Sequence, residues 1–140
     1  MVLGIYASFV YGDGAWNLRQ EVWDNLTNIG LTRNEPWFVM GDLNEIWENS
    51  EKLGGPAQEE SSFLPFRTMV HDCRLQEIPF SGNKFSWAGK RNGMWIQIRL
   101  DRALGNADWF RLFPRVSSEY LERVGSDHRP VLTRFVNEKQ

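Results

Sequence analysis

A chain of 140 residues with net charge −2, 41% hydrophobic and 24% charged residues is long enough to bury one sizeable core and too evenly mixed to be disordered or fibrous. The slight negative charge excludes a general polyanion coat, so any affinity for nucleic acid has to come from a local patch. A single cysteine, Cys73, excludes an internal disulfide or a Cys-rich zinc site and is expected to be a core thiol, while the lack of a leader pattern or a ~20-residue apolar run points to a soluble, intracellular protein.

"VLGIYASF", Val2 to Phe9, is short, apolar and rich in β-branched and aromatic residues, which predicts a buried opening strand. From Trp16 the period becomes helical: Leu18, Val22, Trp23, Leu26 and Ile29 share a face, and Gly30 is expected to end the helix. "PWFVMGDLN" predicts a second buried strand, begun by Pro36 and broken at Gly41, where the chain leaves the sheet carrying Asp42 and Asn44. After the loop "ENSEKLGGPAQ", Ser61 or Ser62 is expected to cap a helix with Phe63, Phe66, Val70 and Cys73 on one face and an end near Arg74. "KFSWA", the turn "GKRNG" and "MWIQIRLDRAL" read as a hairpin whose second strand delivers Asp101. A short helix capped by Asn106, the strand "VSSEYLERV", the turn "GSDHRP" and the strand "VLTRFV" complete an α/β pattern without repeats.

Polar groups therefore stand just past strand ends: Asp42 and Asn44 in "GDLN", Asp101 in "RLDRAL", Asp127 and His128 in "GSDHRP". In layered α/β proteins ligands collect where loops leave strands, so these groups are expected to converge on one rim. Taken singly, each has an ordinary reading as an Asx-turn, a strand-end charge or a surface turn. Together they form the set that phosphodiester hydrolysis requires. Asp42 with Asn44 can orient and deprotonate water, carboxylates can hold a divalent cation, and His128, held by Asp101, can face a phosphoryl oxygen.

In order and spacing, "IYAS", "WFVMGDLNEI", "EIPFSGNKFSWAGKRNGMWIQIRLDRALGN" and "GSDHRPVL" resemble the endonuclease/exonuclease/phosphatase superfamily, and within it the endonuclease domain of plant LINE-type non-LTR retrotransposons. The resemblance implies a DNase I-like four-layer α/β sandwich, of which residues 1–140 form the C-terminal portion, incomplete on the N-terminal side. It implies hydrolysis of DNA with Mg²⁺ or Mn²⁺. Asp42 and Asn44 then position the attacking water, Asp101 partners the catalytic His128, Asp127 lies at the metal, and Tyr6 faces the scissile phosphate. The family's first half also supplies an asparagine and a glutamate, the principal metal ligand. Nothing here precedes "VLGIYASF", so this chain is expected to be impaired or inactive alone and to self-associate through an exposed sheet face. A nuclear setting is implied for the parent element.

Two other readings stay open: a phosphatase or phosphodiesterase of the same superfamily acting on small or lipid phosphates, and a non-catalytic remnant. Trp87 and Trp95 can stack on an unpaired base or pack the hairpin. Lys84, Lys90, Arg91, Arg99 and Arg102 suit phosphate contacts, Arg99 foremost, or a solvated face. His71, beside Asp72, is assigned no role.

Overall fold

Alternating strand-forming and helix-forming stretches assemble, in a computed structural model that describes residues 4–136, into three small sheets flanked by helices. In chain order the elements are β1 (Tyr6–Tyr11), α1 (Trp16–Thr32), β2 (Trp37–Asp42), β3 (Lys52–Leu53), α2 (Leu64–Asp72), β4 (Gln76–Glu77), β5 (Phe80–Gly82), β6 (Trp87–Arg91), β7 (Met94–Ile98), β8 (Asp101–Gly105), α3 (Ala107–Leu112), β9 (Ser117–Tyr120) and β10 (Val131–Arg134). The first sheet has the order β1-β2-β8-β4, the second β10-β9-β5 and the third β3-β7-β6. No helix among the described residues is long and apolar enough to cross a membrane.

β2 is the axis of the molecule because both of its faces are apolar, as expected of a strand covered on both sides. Trp37 and Val39 pack with Trp23, Leu26, Phe66 and Leu104 under α1 and α2. Phe38 packs on the other side with Ile78, Trp109, Phe113 and Val116, with Met40 against them. Parallel pairing with β1 on one edge and antiparallel pairing with β8 on the other complete its surroundings.

Several expectations change in the folded chain. Val2 and Leu3 of the opening strand lie outside the described residues, and β1 is not buried: Tyr6, Phe9 and Tyr11 are exposed, because β1 is an edge strand in this sheet. Gly30 does not end α1, which continues to Thr32. Its role is close approach: a Cβ there would stand 2.8 Å from the sulfur of Cys73, so only glycine lets α1 lie against the end of α2. Cys73 is buried, and burial raises its thiol pKa to about 11. Neither Ser61 nor Ser62 caps α2. Both belong to a 3₁₀ turn, Glu60–Phe63, that leads into a helix begun at Leu64 with Pro65 in its first turn.

The stretch "MWIQIRLDRAL" is not one strand. β7 ends at Ile98 in the third sheet and β8 begins at Asp101 in the first. At the corner the buried Ser86 hydroxyl accepts hydrogen bonds from the Leu100 and Asp101 N–H groups, each at 3.0 Å. The hairpin turn is the pair Asn92–Gly93, both with positive φ, as a tight two-residue turn requires.

Asn106 caps α3 as expected and also reaches further. Its Oδ1 accepts from Trp109 N at 2.9 Å and Trp37 N at 3.0 Å, and its Nδ2 donates to the Glu35 carbonyl at 2.9 Å. Asn106→Ala is expected to lower the unfolding free energy by about 2–3 kcal/mol, the sum of a lost cap and an amide left without its partner. Urea denaturation of the two proteins, with unchanged slope, measures it.

Candidate active site

The register of the first sheet builds the site. Asp42, the last residue of β2, lies directly opposite Asp101, the first of β8. Gly41 sets up this pairing: at φ 152° it lies against the carbonyl of Val10, where a Cβ would clash, so β2 stays paired with β1 one residue past the expected break. Two like charges facing each other across strands are unfavourable. His128 relieves the repulsion by standing between them, with Nδ1 2.8 Å from Asp101 Oδ2 and Nε2 3.5 Å from Asp42 Oδ2.

Each member is held from behind. The loop carrying His128 is laced to β6 and its lead-in: Ala88 N donates to the Asp127 carbonyl at 3.1 Å, and Arg129 N to the Ser86 carbonyl at 2.7 Å. Trp87 pairs with His128 as an isolated bridge. Asp101 is fixed by Ser86 through its N–H and by the Tyr120 hydroxyl, which donates to its carbonyl at 2.6 Å. Asn44, at φ 51°, forms the Asx-turn of the local reading: its N–H donates to Asp42 Oδ1 at 2.9 Å, and its amide Nδ2 donates to the Gly12 carbonyl. The turn reading and the site reading of "GDLN" thus describe the same atoms.

The electrostatics follow from this crowding. Burial alone pulls the His128 pKa down, but the hydrogen bond and charge of Asp101, with the charges of Asp42 and Asp127, outweigh it and raise the pKa above 6.5. Asp42 is raised above 3.8, first by burial and then by the charge of Asp101, against the Asn44 N–H and His128, which act to lower it. Because the folded pKa of Asp42 is raised, its stabilising contribution is complete below pH 3.8 and is lost as the pH climbs through the folded value. At neutral pH the ionised Asp42 therefore costs stability. Asp42→Asn is expected to melt higher than the parent at neutral pH, with the gap closing toward pH 3.8; thermal melts across that range check it.

Asp127 stands apart from its expected place. Its Oδ2 accepts from the Trp87 indole N–H at 2.9 Å, which holds its carboxyl below the usual range. Among the described residues, the group of His, Cys, Asp or Glu side chains close enough to share a cation consists of Asp42, Asp101 and His128, without it. Asp127 contributes its charge nearby. Trp87 is half-buried against the Ile46–Phe63–Ile98 cluster, with the Arg91 guanidinium 4.7 Å above its ring. Packing and anchoring of the His128 loop thus occupy the indole expected to stack on a base.

Two expected substrate contacts are corrected. Tyr6 pairs with Trp37 while Tyr11 pairs with Asp42, and at ~3.3 Å per residue Tyr6 is about 17 Å down the strand from the site. Arg33 lies over its ring, 3.7 Å from the centroid. Tyr11, the second tyrosine of "YASFVY", is exposed and is the one in register with Asp42. Arg99 is 4% exposed. Its guanidinium binds Glu51 at 3.0 Å, Glu77, and the Tyr120 hydroxyl at 3.2 Å, so it is an internal charge and not a phosphate contact. Arg102, equally buried, binds Glu51 as well. Ser86 and Tyr120 escaped notice in the sequence because nothing local marks a hydroxyl that serves a strand 14 or 19 residues away.

An α/β fold of several small sheets, with carboxylates and a histidine meeting where strands end, is of the DNase I-like kind. The chain belongs to the Endonuclease/Exonuclease/phosphatase family, which it matches over residues 5–128. It is similar in structure to the endonuclease domain of TRAS1, a telomere-specific non-LTR retrotransposon, at TM-score 0.64 and 14% identity, covering 94% of this chain and 56% of that one. It is similar also to beta toxin from Staphylococcus aureus, at TM-score 0.54 and 16% identity over 94% of this chain and 50% of that one. The chain thus spans about half the length of these two structures. No curated protein matches it in sequence.

Proposed function

We propose that the Asp42–Asp101–His128 site hydrolyses phosphodiester bonds of DNA with the help of a divalent cation, as part of a retroelement-type endonuclease domain. The observation that carries the reading is an imidazole held between two carboxylates at adjoining strand ends, with its pKa raised. Asp101 fixes the tautomer of His128 and favours its charged form, so that a cationic N–H faces the phosphoryl oxygen as negative charge builds there. Asp42, its Oδ1 tied to the Asn44 N–H, orients the attacking water.

The donor set suits a hard cation. Two facing carboxylates, of which Asp42 has its pKa raised by burial and then by the charge of Asp101, are stabilised by a divalent ion, and Mg²⁺ or Mn²⁺ prefers such oxygen ligands. Asp42 is the residue to hold it, with the Asp101 carboxylate alongside. When bound, the ion supplies Lewis-acid neutralisation of phosphate charge. DNA is favoured as substrate because Lys52 and Arg91 line, together with Asn44, a cleft next to Asp42.

The test is nicking of supercoiled plasmid in Mg²⁺ against EDTA, by this chain and by the chain joined to the N-terminal half of a related domain. Mg²⁺-dependent nicking in either form supports the reading. Hydrolysis of soluble phosphate esters without nicking moves the substrate to the small-phosphate alternative, and inactivity of both forms on both substrates overturns the catalytic reading.

A further inference from the structure

Beside Asn44, a cleft of about 290 Å³ opens between α1 and the third sheet, lined by Arg19, Glu45, Lys52, Gln58 and Arg91 among others. Its charges are not balanced. Glu45, the carboxylate in the lining, is buried and already engaged by Arg19 at 3.1 Å and by the Ile46 N–H at 2.9 Å. Lys52 donates to the Pro56 carbonyl at 2.9 Å and, among the described residues, has no carboxylate partner; Arg91 likewise has none and lies over the Trp87 ring. A guanidinium without a carboxylate partner keeps N–H donors that can fork onto phosphate oxygens. Arg19, which also lines the cleft, has a buried Nε with no hydrogen-bond partner.

Geometry connects this cleft to the reacting groups at both of its sides. Asn44 lines it and also binds Asp42. Arg91 sits on Trp87, whose indole N–H holds Asp127 next to His128. A strand whose phosphate lay at His128 would have its neighbouring phosphates within the field of this cleft, whereas a single small phosphate ester would have nothing to place there.

We infer that the Arg19–Lys52–Arg91 cleft is a subsite for the non-scissile phosphates of a nucleic-acid strand, which makes a polynucleotide the substrate class of the adjoining site. The inference rests on the phosphodiester reading of Asp42, Asp101 and His128. Lys52 and Arg91 take the phosphate oxygens directly, and Arg19 shapes the floor.

The test is the double variant Lys52→Gln/Arg91→Gln, titrated by fluorescence anisotropy with a labelled single-stranded oligodeoxynucleotide in EDTA, over about 50–200 mM salt. Arg33→Gln/Arg111→Gln, which removes two charges near the opposite strand ends, is the matched control. Binding is expected to weaken about tenfold in the first variant, with a slope of log K against log salt shallower by about 1.4, or ~0.7 for each single-strand phosphate that no longer meets a cation. The control should keep the parent slope. An unchanged slope in the first variant, an equal loss in the control, or no oligonucleotide binding by the parent would each overturn the subsite. The catalytic reading fails by a different measurement, on bis(p-nitrophenyl) phosphate: hydrolysis indifferent to His128→Ala would remove that reading and leave the binding result standing.

Discussion

Glu51→Ala is expected to remove about 3–5 kcal/mol of stability, because it strands two buried guanidiniums. Glu51 is 6% exposed and is the shared partner of Arg99 and Arg102, which are 4% and 3% exposed. Glu77, the other carboxylate in the network, is more open to solvent and lies 3.6 Å from Arg102 in addition to binding Arg99. It cannot neutralise both cations alone. A domain of this kind has ~5–15 kcal/mol in total, so the variant is expected to be largely unfolded near body temperature. Chemical denaturation at 25 °C measures the loss, and a loss below about 1 kcal/mol would mean that Glu77 and water suffice.

The same network sets an acid limit. Burial acts to raise the pKa of Glu51, but the charge and hydrogen bond of Arg102, the Trp47 N–H and Arg99 more than reverse this and hold it below 4.5. With a depressed folded pKa, the contribution is complete above pH 4.5 and is lost as the pH falls through the folded value. The consequences reach the site, since Arg99 steadies the Tyr120 hydroxyl and Tyr120 steadies the Asp101 carbonyl. Partial loss of the network should therefore loosen Asp101 before the fold is lost.

In whichever form of the domain nicks DNA, His128→Ala is expected to cut the rate by about 10²–10⁴-fold, the usual worth of a positioned acid or charge-stabilising group. The loss should exceed any effect on folding. His128 has a raised pKa, so its stabilising contribution is complete below pH 6.5 and fades as the pH rises through the folded value. The variant should therefore be most destabilised below pH 6.5 and approach the parent in alkali. The rate should depend on pH in the same sense: activity of the parent falls on the alkaline side as His128 loses its proton and on the acid side as Asp42 gains one. Adding Asp42→Asn to His128→Ala should return part of the lost stability at neutral pH, since the carboxylates no longer repel each other. Rates of nicking with paired thermal melts check both arms. A rate indifferent to His128 would sink the assignment.

Much of the site was legible from residue order because strand ends are marked locally. The apolar run ending in "GDLN" places Asp42 at a strand exit, and "GSDHRP" before "VLTRFV" places His128 in a turn. These are signals between near neighbours in the chain, where period, glycine and proline speak directly. The helical stripe of Trp23 and Leu26, the cap at Asn106 and the burial of Cys73 were legible for the same reason.

What the sequence alone determined, then, was the α/β class, the family motifs and the stations of the polar groups along their strands. The tertiary structure decided which of those groups meet and which do not. Tyr11 and not Tyr6 stands beside Asp42 because the register of β1 on β2 is set by pairing across the sheet. Arg99 is an internal charge because Glu51, 48 residues away, arrives beneath it. Asp127 turns to Trp87, 40 residues away, although its neighbour His128 faces Asp101. Chain-local periodicity carries no information about partners at such separations. Only the packing of one sheet against another brings these atoms within hydrogen-bonding distance, and desolvation then forces each buried charge to find the counter-charge that packing supplies.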